Sequence, residues 1–419
     1  ILHEKLEPYV AALQISCEIR HDLNDGNDAF HMLELPSDKS KLFSSMQEYL
    51  QRLSSNKNDD LFSSPGIPLL MKGNAISTHE PVRAAVQLFT DPDIVKSIVV
   101  EKSGSNSPEE FVVDIYTAGY VALTGLSDAM SRRIFYITEQ TRDHLQEFLE
   151  VITSDDYMSM GVDRQGNLFR TLKKDVENNY GFLVSGLELI LNSAKVFDVS
   201  SILHVDIPQE LNALKGGIDE TVFYTILLSN ANNLHWLTID NLIGGFVSGY
   251  GVKIYSMHVY SSEFAREVCF DDRVYGLGLH ADGCLPLIPL HDDFRDLLLR
   301  FDILSLTVLK GLLDKYSDYI VESRELDFVL DTIPVFVSYK LERIGCPESD
   351  VLFRVAVSLL NTALRIQISR KTGQTSEYKM SLSIRQSFQK ANKSNYQPRI
   401  LSSLYLKFIF GHFLDIKFV

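Results

Sequence analysis

The sequence is poor in cysteine and tryptophan, with 4 Cys and 1 Trp among 419 residues. The cysteines are scattered along the chain without a C-x-x-C pair, at Cys17, Cys269, Cys284 and Cys346. Such spacing builds neither a disulfide framework nor a zinc site of paired cysteines, and it is typical of reduced thiols. We therefore expect an intracellular, cytoplasmic protein.

Long hydrophobic runs are also missing. The most apolar segment, Leu401–Val419, is interrupted by Lys407, His412, Asp415 and Lys417. A membrane-spanning helix needs about 20 predominantly apolar residues. We predict no transmembrane helix and no membrane partner.

Recognisable catalytic and cofactor motifs are absent too. The glycine-rich segments Gly244–Gly251 and Gly276–Gly283 have neither dinucleotide-binding nor P-loop spacing, and no H-E-x-x-H or G-x-S-x-G occurs. We predict no cofactor, no bound metal and no catalytic residue. Whether the protein is an enzyme stays open, with the balance against it.

What is present is the composition of a folded protein, with 45% hydrophobic and 23% charged residues. A chain of 419 residues exceeds the roughly 250–300 residues that one hydrophobic core serves. We divide it into an N-terminal helical segment with a linker (1–75), a helical region (76–199), a β-rich module (200–290) and a C-terminal helical region with a basic stretch (291–419).

Residue periodicity supports this division. Leu145, Leu149 and Ile152 recur at helical spacing, and a longer apolar stripe over 294–313 predicts one helix of five turns. The β-branched and aromatic runs Val222–Leu227 and Val252–Tyr260 predict strands. The fold class is α+β, predominantly helical, with a β-rich module between helical segments, and a strictly alternating βαβ chain is disfavoured.

Charge is unevenly distributed. The formal net charge is −15, yet residues 339–419 carry 13 Lys and Arg against 5 Asp and Glu. Between residues 365 and 399 the only acid is Glu377, and Tyr378, Phe388 and Tyr396 are interleaved among the cations. Cations can bind phosphates and aromatic rings can stack on unpaired bases, so this basic stretch is a candidate RNA-binding site.

The candidate nucleic-acid-binding residues of this basic stretch are Arg365, Arg370, Lys371, Lys379, Arg385, Lys390, Lys393 and Arg399. A solvated basic face, or one that docks on acidic parts of the same chain or of another subunit, explains the same pattern. Both interpretations stay open at this stage.

The C-terminal segment Leu401–Val419 is unusually apolar for a terminus. A fold interior or a neighbouring subunit would cover it, and both explanations stay open. We expect a homo-oligomer, and this segment is a candidate surface for its self-association.

These features favour a structural or assembly protein that self-associates and contacts RNA, of the type of viral coat or nucleocapsid proteins, and a viral source would place it in the virion. One alternative is a metal-assisted hydrolase that uses His280, Asp282 and His291, whose residue types can ligate a metal ion. Another is a cellular scaffold that binds an acidic protein partner.

Overall fold

The structure is a computed structural model, and it describes residues 59–96, 108–162, 168–198, 200, 207–317, 327–369, 399–400 and 402–403. The predicted α+β architecture, with a β module between helical segments, is confirmed. No helix in the described ranges is long and apolar enough to cross a membrane. The division into four segments stays a prediction.

The β module is built around one parallel sheet of five strands in the order β5-β2-β1-β6-β7. The strands are Glu110–Val113 (β1), Ile134–Thr138 (β2), Lys195–Phe197 (β5), His235–Thr238 (β6) and Lys253–Ser256 (β7). In register, Phe111 of β1 pairs with Phe135 of β2 and with His235 of β6. Parallel neighbours require crossover connections, and helices supply them between β1, β2, β6 and β7.

Helices dominate the rest of the described chain. They are Asp59–Ser63 (α1), Leu69–Ile76 (α2), Pro81–Thr90 (α3), Ile115–Leu123 (α4), Ser127–Ser131 (α5), Glu139–Thr153 (α6), Lys173–Ser193 (α7), Gln209–Asn212 (α8), Glu220–Asn232 (α9), Asn241–Ser248 (α10), Met257–Phe264 (α11), Phe270–Ala281 (α12), His291–Arg300 (α13), Ile303–Lys315 (α14), Asp327–Ile344 (α15) and Val351–Ser369 (α16).

Residues 155–176 belong to a separate compact unit. Its described part contains the antiparallel strands Met158–Val162 (β3) and Leu168–Leu172 (β4), paired from Met158 with Leu172 to Val162 with Leu168.

Two hydrophobic clusters stabilise the larger unit. The first surrounds the sheet and includes Phe111, Phe135 and Trp236, all fully buried. The second joins α12 to α16 through residues such as Phe294 and Leu360. Burying one large apolar side chain stabilises the folded state by about 1.5–3 kcal/mol. Because each cluster buries many such side chains, each contributes substantially to the stability of this unit.

Three local predictions are wrong. The run Val222–Leu227 lies inside α9, and Val252–Tyr260 is a strand only over 253–256 before α11 begins. The predicted helix of five turns is two helices, because Phe301 adopts a left-handed conformation (φ 55°) and Asp302 caps α14 by accepting from the Ser305 N–H at 2.7 Å. Strands also occur before residue 200, and helices alternate with them.

Helices α2 and α3 lie against the sheet domain. The amide of Leu70 in α2 donates to Asp240 Oδ2 at 2.9 Å, and Gly73 approaches the ring of Tyr116. Buried Lys72 donates to the carbonyls of Ser64, at 2.7 Å, and of Val95. Helix α2, which precedes the sheet in the chain, is therefore hydrogen-bonded to the residue that caps α10 just after β6.

Candidate active site

The sheet has one topological switch point, between the neighbouring strands β1 and β6. From β1 the chain passes to β2 on one side, and from β6 it passes to β7 on the other. Ligands of open parallel sheets bind at the carboxyl ends of the strands at such a point. Asp114 directly follows β1, and Asp240 lies two residues beyond β6.

Asp114 is fully buried and begins α4 as its N-cap. Oδ1 accepts from the amides of Tyr116 and Thr117, both at 2.9 Å. Oδ2 accepts from Thr117 Oγ1 at 2.7 Å and from Trp236 Nε1 at 2.8 Å. Burial raises the pKa of Asp114, and these four hydrogen bonds oppose that rise. Since a carboxylate has about four acceptor positions, Asp114 has no oxygen lone pair to spare.

Asp240 is buried in the same manner at the start of α10. Its Oδ1 accepts from the amides of Leu242, at 2.9 Å, and Ile243, at 3.1 Å. Its Oδ2 accepts from the amide of Leu70 in α2. Burial raises the pKa of Asp240, and the backbone donors oppose the rise. Asp240 therefore joins α10, α2 and the end of β6.

Asp219 is the third buried carboxylate, at the N-terminus of α9. Both hydrogen bonds that it accepts from described residues end on Oδ1, from the amide of Thr221 at 2.9 Å and its hydroxyl at 2.5 Å. Burial raises the pKa of Asp219, while the hydrogen bonds from Thr221 and the nearby charge of His144 lower it. Asp219 is thus within electrostatic range of His144.

Tyr116 is within electrostatic range of both Asp114 and Asp219. Burial raises the pKa of its phenol well above the ordinary range, and the charges of Asp219 and Asp114 raise it further. Its hydroxyl is buried without a hydrogen-bond partner among the residues that the structure describes.

A small cleft of about 60 Å³ opens between the start of α3 and the surface of α6. It is lined by His79, Glu80, Arg83, His144, Glu147 and Phe148, among others, and we call it the histidine cleft. Arg83 Nη1 donates to Glu80 Oε2 at 3.0 Å. His144 is also the residue whose charge lowers the pKa of Asp219, so it relates this cleft to that carboxylate.

Comparison with known proteins bears on the same part of the chain. Residues 112–244 match the family model of the PIN domain associated with the TPR-GreAB-C-PIN system. This segment is similar to a PIN domain. It contains the last two residues of β1 and all of β2, β5 and β6, together with Asp114, His144, Asp219 and Asp240. No curated protein and no solved structure matches the chain.

The match to a PIN domain corrects the predicted function. A PIN domain is a nuclease-like domain, so the prediction of a viral coat or nucleocapsid protein, with its capsid and virion, is wrong. That prediction relied on the charge distribution. A basic stretch indicates affinity for polyanions, but it does not show whether the protein packages or cleaves them. RNA binding, self-association and a cytoplasmic location stay predictions.

The alternative of a metal-assisted hydrolase is not supported either. His280 lies buried in α12, Asp282 follows that helix and His291 begins α13. Burial lowers the pKa of His280 to about 3, and its Nδ1 lies 3.5 Å from the Tyr316 hydroxyl. Throughout the described ranges, no three His, Cys, Asp or Glu side chains are placed to hold a metal ion.

The basic stretch lies mostly outside the described residues. Arg365 and Arg399 are described, and both are exposed. Arg365 forms an ion pair with Asp314 of α14. The other members, Arg370, Lys371, Lys379, Arg385, Lys390 and Lys393, lie outside the described ranges, as does Leu401–Val419 except for Ser402 and Ser403.

Nuclease-type sites commonly use divalent cations, which bind carboxylate oxygens. Two of the buried carboxylates, Asp114 and Asp240, do not fit such an ion as they are arranged. Asp114 accepts four hydrogen bonds, and Asp240 accepts three from backbone amides. A cation at either residue would have to displace donors that also hold the helix starts in place.

Sequence reasoning missed the residues of this site, although a local signal was present. Asp114 follows the apolar run Phe111–Val113, and Asp240 follows Trp236-Leu237-Thr238-Ile239. An acid directly after a short buried strand indicates the carboxyl edge of a parallel sheet. The first run lies in the region predicted to be helical (76–199), so the acid after it did not indicate a sheet edge. Trp236, the single tryptophan of the sequence, is fully buried.

Proposed function

We propose that the sheet domain is a nuclease-type domain that cleaves phosphodiester bonds of a nucleic acid. The observation that carries this proposal is that several features of a nuclease-type site lie in one segment of the chain. The segment similar to a PIN domain contains the switch point, the three buried carboxylates Asp114, Asp219 and Asp240, and His144, which lines the histidine cleft. A fold alone does not define an activity. The combination of this fold with acidic side chains at the carboxyl edge of the parallel sheet supports a nuclease activity.

We further propose that the nucleic acid is RNA and that the basic stretch binds its phosphates. The support is the cation content of residues 365–399 and the exposure of Arg365 and Arg399. Such contacts would position the substrate without selecting a base sequence.

The test of the nuclease proposal is cleavage of fluorescently labelled single-stranded RNA, duplex RNA and single-stranded DNA by the full chain, each with EDTA and with Mg²⁺ or Mn²⁺. The informative variant is Asp219→Asn, because asparagine keeps the oxygen that accepts from Thr221 while removing the charge that interacts with His144. We expect kcat to fall roughly 10- to 100-fold with little change in KM or in the thermal midpoint.

The matched control is Asp198→Asn, which alters an exposed carboxylate that follows β5 at the same edge and accepts from Ser200. It should cleave like the wild type. Equal activity in wild type and Asp219→Asn would remove Asp219 from the site, and no cleavage of any substrate would refute the nuclease proposal.

A second candidate is a domain of the same fold that binds nucleic acid without cleaving it. The specific observation that favours it is that four hydrogen-bond donors of the protein itself occupy the acceptor positions of the Asp114 carboxylate. This candidate predicts salt-sensitive binding and no cleavage under every condition of the same assay.

A further inference from the structure

Helix α15 carries aromatic and basic side chains on one face near its C-terminal end. Their positions follow the spacing i, i+3, i+4 and i+7, which brings side chains together on one side of a helix. The four residues, which we call the α15 face, are Phe336, Tyr339, Lys340 and Arg343. Tyr339 and Arg343 are exposed, while Phe336 and Lys340 are half-buried. The α15 face is therefore accessible from solvent.

Each cation of the α15 face lies over an aromatic ring one helical turn before it. Lys340 Nζ is 5.5 Å from the centroid of the Phe336 ring. The guanidinium carbon of Arg343 is 6.0 Å from the centroid of the Tyr339 ring, and its Nη1 donates to the Tyr339 hydroxyl at 3.3 Å. Because a cation is attracted to the face of an aromatic ring, these pairs keep positive charge and flat apolar surface side by side.

The end of the basic stretch is attached to the same helix. The amide of Ile400 donates to Glu342 Oε1 at 3.1 Å, and the Ile400 side chain packs against the second hydrophobic cluster. Arg399 directly precedes Ile400 and is exposed. Glu342 is the only acid among residues 335–344, and it accepts that amide. Positive charge therefore predominates at this end of α15, and Arg399 adds to it.

We infer that the α15 face binds single-stranded RNA, with a base stacked on the ring of Tyr339. Lys340, Arg343 and the nearby Arg399 bind the flanking phosphates. Aromatic rings stack on any base and cations bind phosphates of any sequence, so this surface binds a single strand without reading its sequence. The inference rests on the proposed RNA substrate, and it places part of the binding site outside the segment 112–244 that is similar to a PIN domain.

The experiment measures binding of the full chain in EDTA to labelled single-stranded RNA and to duplex RNA of the same sequence, by fluorescence anisotropy. Tyr339→Leu removes the ring, and Tyr339→Phe keeps it. The matched control is Tyr275→Leu on α12, because Tyr275 is 38% exposed and Tyr339 is 40% exposed. Stacking of one base contributes about 1–3 kcal/mol, so Tyr339→Leu should bind the single strand roughly 5- to 150-fold more weakly. Tyr339→Phe, Tyr275→Leu and the binding of duplex should stay within about twofold of the wild type, because a duplex keeps its bases stacked inside.

The contrary outcomes are distinct. Equal single-strand affinities of Tyr339→Leu and the wild type, or an equal loss on duplex, would overturn base stacking on the α15 face. A polyglutamate peptide that binds more tightly than the RNA, and is weakened by Arg343→Gln but not by Tyr339→Leu, would assign the face to an acidic protein instead. Loss of binding in Tyr339→Leu without cleavage of any substrate would support the inference while refuting the nuclease proposal. Cleavage with equal affinities would do the reverse.

Discussion

At the scale of single residues, the number of donors around each buried carboxylate separates structural from chemical roles. Asp114, Asp219 and Asp240 all cap helices, where a carboxylate is favoured by the first amides and by the helix dipole. Asp114 accepts four hydrogen bonds and Asp240 accepts three, so both mainly stabilise the fold. Asp219 accepts through one oxygen and is within electrostatic range of His144, which leaves it able to act on a neighbour.

His280 makes stability depend on pH. Burial lowers its pKa to about 3 in the folded state, below the value of about 6.5 in an unfolded chain. The unfolded state therefore binds the proton first, and stability is lost as pH falls from about 6.5 toward 3. From pH 7 to pH 5 this residue should reduce the free energy of unfolding by about 2 kcal/mol.

The measurement is urea unfolding at pH 7 and pH 5 for wild type and His280→Gln. The variant should lose less stability between the two pH values, by about the same 2 kcal/mol. Identical losses in both proteins would show that His280 does not carry this pH dependence.

At the scale of elements, helix α2 closes the end of β6. The Leu70 amide reaches Asp240, and Gly73 lies where a side chain would collide with Tyr116. A Cβ at position 73 would stand 2.1 Å from Tyr116 Cε1, which is less than any ordinary contact. Tyr116 cannot move easily, since it is fully buried.

Gly73→Ala should therefore destabilise the protein by about 1–3 kcal/mol, although alanine favours helices over glycine. The control is Gly278→Ala in α12, where a Cβ would meet no atom within 4 Å. That variant should be neutral or more stable by up to about 1 kcal/mol. Urea unfolding of both proteins measures these changes in the free energy of unfolding. A Gly73→Ala protein as stable as the wild type would contradict the close packing of α2 on Tyr116.

Elements were predictable from sequence where one face alone is buried. In α6, Leu145, Leu149 and Ile152 are buried and its other face is exposed, which is the pattern that was recognised. In α9, almost every residue from Thr221 to Ser229 is buried, so the helical period disappears and the β-branched content indicates a strand. The break at Phe301 depends on a left-handed residue that apolar spacing does not reveal.

At the scale of the whole molecule, net charge and local charge have opposite signs. The chain carries −15 overall, while residues 339–419 are cationic. Composition could predict a polyanion partner, but it could not reveal the carboxyl edge, because Asp114 and Asp240 are 126 positions apart and meet only through strand pairing. The nuclease-type site was therefore beyond composition and spacing alone.

If the basic stretch binds RNA phosphates, affinity should fall steeply with salt. For single strands, log K changes by about −0.7 per contacted phosphate for each unit of log salt. Arg399→Gln should make this slope shallower by about 0.7, measured by fluorescence anisotropy in EDTA. Arg132→Gln, at an exposed arginine paired with Asp128 in the sheet domain, should not change it. Equal slopes in all three proteins would exclude Arg399 from the binding surface.

The most direct test of the central claim is a time course of labelled RNA cleavage by wild type, Asp219→Asn and Asp198→Asn side by side. We expect cleavage by the wild type and Asp198→Asn proteins at similar rates, and a roughly 10- to 100-fold slower rate for Asp219→Asn at unchanged thermal stability. Intact RNA in every reaction, or equal rates for all three proteins, would contradict a nuclease-type site beside Asp219.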